Sequence, residues 1–295
     1  MMTKFYNNLK TALLLGSLTG LVMFIGHLIG GQTGVLIALV MAGVMNFVAY
    51  FFSDKMAIAS VGAHEVGPDH PLYRITAQLA QRANMPMPRV YVSPQPAPNA
   101  FATGRNPNNA AVCATEGLLR MLDSNEVAGV MAHELAHVKH RDILISTIAA
   151  TIAGAISYLG YMIMFSPSSG GDDEEGGSAF GPLGAILAML LAPIAAALIQ
   201  MAISRSREFN ADKAGAEICG NPMYLATALE KIHMMAARVP MQVNPAYNAL
   251  MIAEPRSMMR SIGNLFATHP PLEKRLMNLI GAETTGAFHA PGGLR

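Results

Sequence analysis

The chain has 295 residues, of which 52% are hydrophobic and only 13% charged, about half the charged fraction of roughly 25% found in an ordinary soluble domain. Twenty Lys and Arg against 19 Asp and Glu leave a net charge of +1, which excludes a disordered chain and gives no electrostatic footprint for a nucleic-acid partner. The positive mean hydropathy of +0.34 points to the membrane, and two widely separated cysteines, Cys113 and Cys219, exclude a disulfide framework.

The first predicted elements are two apolar runs, Thr11–Ile29 and Thr33–Phe52, each long enough to cross a hydrocarbon core that takes roughly 20 helical residues. No small-residue cleavage pattern follows the first run, so it reads as an uncleaved span. Gly30–Gln32 is then the tight turn of a helical hairpin, with His27 and Asn46 available for inter-helix hydrogen bonds. Next, Pro71–Asn84 places Leu72, Ile75, Leu79 and Ala83 on one helical face. Arg89–Ser93 and Ala110–Thr115 read as short strands around a Pro-punctuated loop, which predicts a small sheet with an exposed edge. His64, Glu65, Asp69 and His70 fit neither a helix face nor a metal finger and read as a solvated loop. A helix should begin at Asp123, where Glu126 three residues on completes a capping box, and run unbroken through Asp142.

Within that helix stands His133-Glu134-Leu135-Ala136-His137. Residues four apart share a helix face, so both imidazoles can bind one cation while Glu134 reaches a water held on it. His140 shares the face too, but roughly 10 Å of helical rise separates it from His133 and removes it from the same coordination sphere.

Two more apolar runs follow, Ile143–Phe165 and Leu183–Ile203, joined by a loop with four acids and no base. With four alternating spans, Lys4, Lys10, Lys55, Lys139, Arg141, Arg205 and Arg207 share one side, which places both termini and both large polar segments in the cytoplasm. The residues before the third span and after the fourth then emerge on the same membrane face. There Glu208 and Asp212 lie four apart. Glu208 supplies the third ligand that a catalytic zinc needs, and Asp212 can accept the free ring N–H of His133. Beyond them, His233 sits in a Met-rich helix and reads as packing.

The combination of HELAH before a span, RSREFNAD after one, PNAFATG upstream and ATHPPLEKRL downstream resembles the HtpX group of membrane-bound zinc endopeptidases. These are bacterial relatives of the CAAX prenyl endoprotease within the gluzincin class, and the likeness covers essentially the whole chain. It implies one zinc per chain on His133, His137 and Glu208, with Glu134 as general base. It also implies substrate contact at Asn99, Ala100 and Phe101, and substrate or oxyanion roles for His269 and Arg275. The resemblance further implies an inner-membrane protease facing the cytoplasm, active on misfolded membrane proteins under envelope stress.

The expected architecture is therefore a predominantly α-helical integral membrane protein. Four transmembrane helices join a cytoplasmic gluzincin-like α+β domain with a small sheet. Its parts are an N-terminal hairpin (1–52), the first protease segment (53–142), a second hairpin with an acidic external loop (143–203) and the second protease segment (204–295). Expected partners are unfolded or membrane-protein substrates and the lipid bilayer, with no nucleic acid; a homo-oligomer is compatible with the sequence. Two other readings fit less well. An intramembrane-cutting protease would need its motif inside an apolar run, whereas Lys139, Arg141 and Asp142 follow this one. A metal-binding scaffold or transporter would place polar ligands in mid-span, and the first two runs offer only His27 and Asn46.

Overall fold

A computed structural model describes residues 2–149, 152, 205–236, 252, 270–282, 284 and 285. Most of the third and fourth apolar runs, the acidic loop and His269 lie outside these residues.

Helix α1 covers Met2–Ser60, yet it is not straight. Asn46 Nδ2 donates to Thr19 Oγ1 at 2.9 Å and approaches the Leu15 carbonyl at 3.4 Å. A straight helix would hold Thr19 and Asn46 about 40 Å apart. The chain therefore reverses between them, and Gly31, at φ +55°, stands in the left-handed region that a reversal demands. The second arm, Gly31–Ser60, is long and apolar enough to cross a membrane. Its last turns leave the apolar stretch and pack on the sheet, where Ala57, Ile58 and Val61 join Phe101, Ala111 and Cys113 in a small core. Asp54 pairs with Arg89 at 2.8 Å and fixes the same junction.

The sheet runs β1 (His64–Glu65), β2 (Arg89–Ser93), β4 (Ala110–Thr115) and β3 (Ala100–Gly104) in spatial order, with β2 and β4 parallel and the other pairs antiparallel. The segment expected to be a loop thus contains an edge strand. Ala-Phe-Ala-Thr-Gly has a single β-branched residue, Thr103, and its pairing is decided by burial: all five residues are buried. Helix α2 (Pro71–Arg82) is capped by His70, whose Nδ1 accepts from the Leu72 amide. A short α3 (Glu116–Met121) leads to α4 (Ser124–His140), which opens on the expected capping box of Asp123 and Glu126.

Helix α4 forms the centre of the domain. The sheet and α2 flank it, α5 (Arg205–Cys219) and α6 (Pro222–Ala236) pack against it, and α7 (Leu272–Ile280) packs on α5 and α6. Val130, Met131, Ala132, Leu135 and Ala136 are fully buried in the main core. Two glycines let neighbouring backbones approach. A Cβ on Gly129 would lie 2.5 Å from the Leu225 nitrogen of α6, and one on Gly215 of α5 would lie 2.9 Å from the nitrogen and Cα of His133.

Helix α4 does not continue unbroken into the third apolar run. Arg141 adopts φ 62° and ψ 33° and ends it, after which residues 143–149 are helical again. Thr147 of that second stretch contacts Thr103 of β3 at 3.0 Å. Two elements consequently meet at an angle where the sequence suggested one rod.

Candidate metal centre

The His-x-x-x-His spacing on α4 places both imidazoles on the face that α5 covers. His133 is 1% exposed, and the two rings meet edge to face with centroids 4.7 Å apart. Their Nε2 atoms lie 3.2 Å from one another. Glu208, on the first turn of α5, brings Oε1 to 3.5 Å from His137 Nε2 and Oε2 to 3.8 Å from His133 Nε2. Among the described residues these three form the one group of His, Cys, Asp or Glu side chains arranged to hold a metal ion.

The donor set fits a tetrahedral ion. Bonds of about 2.1 Å at tetrahedral angles space ligand atoms about 3.4 Å apart, and the observed separations bracket that value. The charge pattern agrees. A neutral imidazole whose Nδ1–H faces a carboxylate directs its Nε2 lone pair the other way. His133 Nδ1 lies 2.9 Å from Asp212 Oδ1, and His137 Nδ1 lies 3.4 Å from Asp142 Oδ2. Two lone pairs and a carboxylate thus converge on one point, an arrangement that a cation stabilises. The Asp212 contact is short but poorly aligned, since His133 Nδ1 makes no well-directed hydrogen bond.

Behind Asp212 stands Arg275 of α7, 2% exposed. Its Nε and Nη2 meet the two carboxylate oxygens at 2.9 and 2.5 Å. Burial by itself would raise the Asp212 carboxyl, but the Arg275 charge and its two bonds, with the close approach of His133, outweigh it and hold the group down at about 2. Burial likewise opposes charge on Arg275, and Asp212 more than compensates, so the guanidinium stays firmly protonated. At His137 burial also disfavours the cation; Glu208, Asp142 and Glu134 prevail and lift the imidazole to about 9. Glu134 is 3% exposed, and its charge acts on both His137 and Arg275, which locates it beside the cluster.

Several expected residues stand elsewhere. Arg275 is expected to hold the substrate or stabilise the oxyanion; its Nε and Nη2 bond Asp212, on the far side of His133. Phe101 is 1% exposed and belongs to the small core with α1, because alternate residues of β3 face opposite sides and its side faces inward. Asn99 exchanges backbone and side-chain bonds with Thr115, and its Oδ1 accepts the Ala100 N–H at 3.0 Å. The Ala100 carbonyl accepts from the Ile252 N–H at 3.0 Å. Asn99 and Ala100 are therefore bonded within the fold, and Ala102 is the next residue of β3 whose backbone faces outward. His140 is not part of the metal group; it lines a neighbouring cleft with Asp142, Arg207 and Lys213. Asp142 has no counterpart among the expected site residues, and its only sequence signal is an acid five positions after the second histidine.

Comparison with known proteins bears on the same helices. The model of Peptidase family M48 matches residues 68–283, a stretch that includes α4, α5 and α7 with all the residues above. The chain belongs to peptidase family M48. Relatives agree over nearly full length. The Protease HtpX homolog of Burkholderia ambifaria (strain MC40-6) is 54% identical over 96% of this chain and 99% of its own. That of Desulforapulum autotrophicum is 49% identical over 98% of this chain and 94% of its own. Among solved structures, the crystal structure of S. mikatae Ste24p matches with a TM-score of 0.46 and 18% identity, covering 95% of this chain and 66% of that one. This M48 peptidase is a membrane-bound metalloprotease.

Proposed function

We propose that the protein is a zinc endopeptidase whose metal is held by His133, His137 and Glu208 and whose general base is Glu134. The observation that carries this is the convergence of the two Nε2 atoms and the Glu208 carboxylate at tetrahedral ligand spacing. Zinc bound there supplies Lewis acidity toward a water and the scissile carbonyl. Glu134, adjacent to His133 and buried against the cluster, takes the proton of the attacking water and delivers it to the leaving amine. Asp212 fixes the tautomer of His133, and Arg275 keeps Asp212 ionised. His269, which follows the family pattern, is the candidate for oxyanion stabilisation.

An extended peptide is proposed to add to the outer edge of β3. Ala102 offers outward backbone groups there, and main-chain pairing imposes little sequence preference. Unfolded segments of membrane proteins suit such a site. The proposed setting is the bacterial inner membrane with four spans, both termini and the site on the cytoplasmic face. The sorting of basic flanks from the acidic loop supports that orientation.

The test compares the wild type with Glu134→Gln in bound zinc and in cleavage of a chemically unfolded protein. The variant should retain zinc and lose about 10²- to 10⁴-fold in rate. Undiminished cleavage by the purified variant would refute the general-base assignment.

A further inference from the structure

We infer that Asp142 is a positioning residue for His137, and that it ties the metal-binding end of α4 to the start of α5; this rests on the metal-ligand reading above. Helix α4 ends at His140, and Arg141 turns left-handed, a conformation that few residues other than glycine adopt. The turn folds Asp142 back over the helix end. Its N–H donates to the His137 carbonyl at 3.0 Å, and its Oδ2 reaches His137 Nδ1 at 3.4 Å. In a continued helix a residue at i+5 would point well away from residue i. The left-handed residue is thus what lets an acid five positions on serve the ring.

The other carboxylate oxygen faces α5. Asp142 Oδ1 lies 4.0 Å from Arg207 Nη1, and Arg207 immediately precedes Glu208. One buried carboxylate, 4% exposed, therefore stands between the second histidine and the helix that carries the third ligand. With Asp212 behind His133, each imidazole has an acid at its Nδ1, so both Nε2 atoms are left as ligands of the same point. A ligating histidine oriented in this way gains basicity and loses rotational freedom. His137 needs the restraint more than His133, because its side chain is 15% exposed against 1%.

The test uses the full chain in detergent, stripped of metal and titrated with zinc against a competing chelator. The forms compared are wild type, His137→Ala, Asp142→Ala and Asp142→Asn. Asp142→Ala should weaken zinc binding about 10–100-fold. Asp142→Asn keeps an acceptor for the ring N–H but no charge, so it should fall between the wild type and the alanine variant. The visible absorption of the cobalt(II)-substituted protein should shift in the same order, a signature that a loss of general stability would not produce. If His137→Ala weakens zinc but Asp142→Ala binds within about twofold of wild type, the role of Asp142 is overturned and the ligand set stands. If Asp142→Ala does not fold, the Asn variant decides by the same criterion. Unaltered binding in His137→Ala overturns the ligand set and the role of Asp142 together.

Discussion

Gly215→Ala should loosen the metal centre without touching any ligand. The added methyl would sit 2.9 Å from the nitrogen and Cα of His133 and 3.2 Å from the Ala132 carbonyl carbon. Ordinary carbon contacts begin near 3.4 Å or beyond, and backbone atoms cannot rotate away, so α5 must retreat from α4 by about half an ångström or more. Overpacking of this kind costs about 1–3 kcal/mol, while alanine in place of glycine inside a helix returns about 1 kcal/mol. Because the obstructing atoms are main chain, the upper part of the first range applies and a net loss of about 1–2 kcal/mol follows. Glu208, Asp212 and Gly215 share one face of α5 at spacings of four and three, so the retreat carries the third ligand away from the histidines. Misplacement by an ångström costs about 10²-fold in rate, and cleavage of an unfolded protein should fall about 10- to 100-fold with a lower melting temperature. Gly43→Ala, whose methyl would meet nothing within 4 Å, serves as the control and should leave cleavage unchanged without lowering the melting temperature. A Gly215→Ala protein with wild-type melting and wild-type cleavage would refute the view that backbone contact sets the ligand distance.

Arg275→Met should destabilise the protein by about 3–5 kcal/mol, since it leaves the Asp212 carboxylate buried without its counter-charge; thermal unfolding of the metal-free protein measures this. Arg275→Lys should recover little, because a single ammonium cannot reproduce the two-point contact. The acid limb of stability has a defined sign. Asp212 titrates at about 2 when folded, against an ordinary value of 3.8, so it contributes about 2 kcal/mol that is present above pH 4 and is lost as the pH falls toward 2. The stability gap between wild type and Arg275→Met, both metal-free and followed by circular dichroism, should therefore narrow as the pH falls from 4 to 2. A gap that stays constant over that range would show that the pair does not govern this limb.

The parts legible in the sequence were those written in local code. The capping box at Asp123, the helical spacing of His133 and His137, the pairing of Glu208 with Asp212 and the β-branched strand β2 each depend on residues a few positions apart. What escaped depends on contacts that only the folded chain creates. The Ala-Phe-Ala-Thr-Gly strand has only one β-branched residue, is rich in alanine and is flanked by prolines, so its pairing with β4 is a tertiary decision. Arg275 could be placed near the site by its motif, but not behind Asp212, because that orientation is set by the packing of α7. Asp142 was hidden by Arg141: nothing in the composition of arginine announces a left-handed turn, and without the turn the acid points elsewhere. The reversal of α1 at Gly31 is the opposite case, where two short-range cues, a glycine pair and interrupted hydropathy, agreed with long-range contacts of Asn46.

The pairing of Arg275 with Asp212 also orders events in time. A ribosome releases α4 and α5 well before α7, so during synthesis both histidines, Glu208 and Asp212 exist while the arginine that neutralises Asp212 does not. Until residue 275 has been made, Asp212 lacks the two-point contact that backs it in the folded protein, so the support behind His133 is the last part of the centre to be supplied.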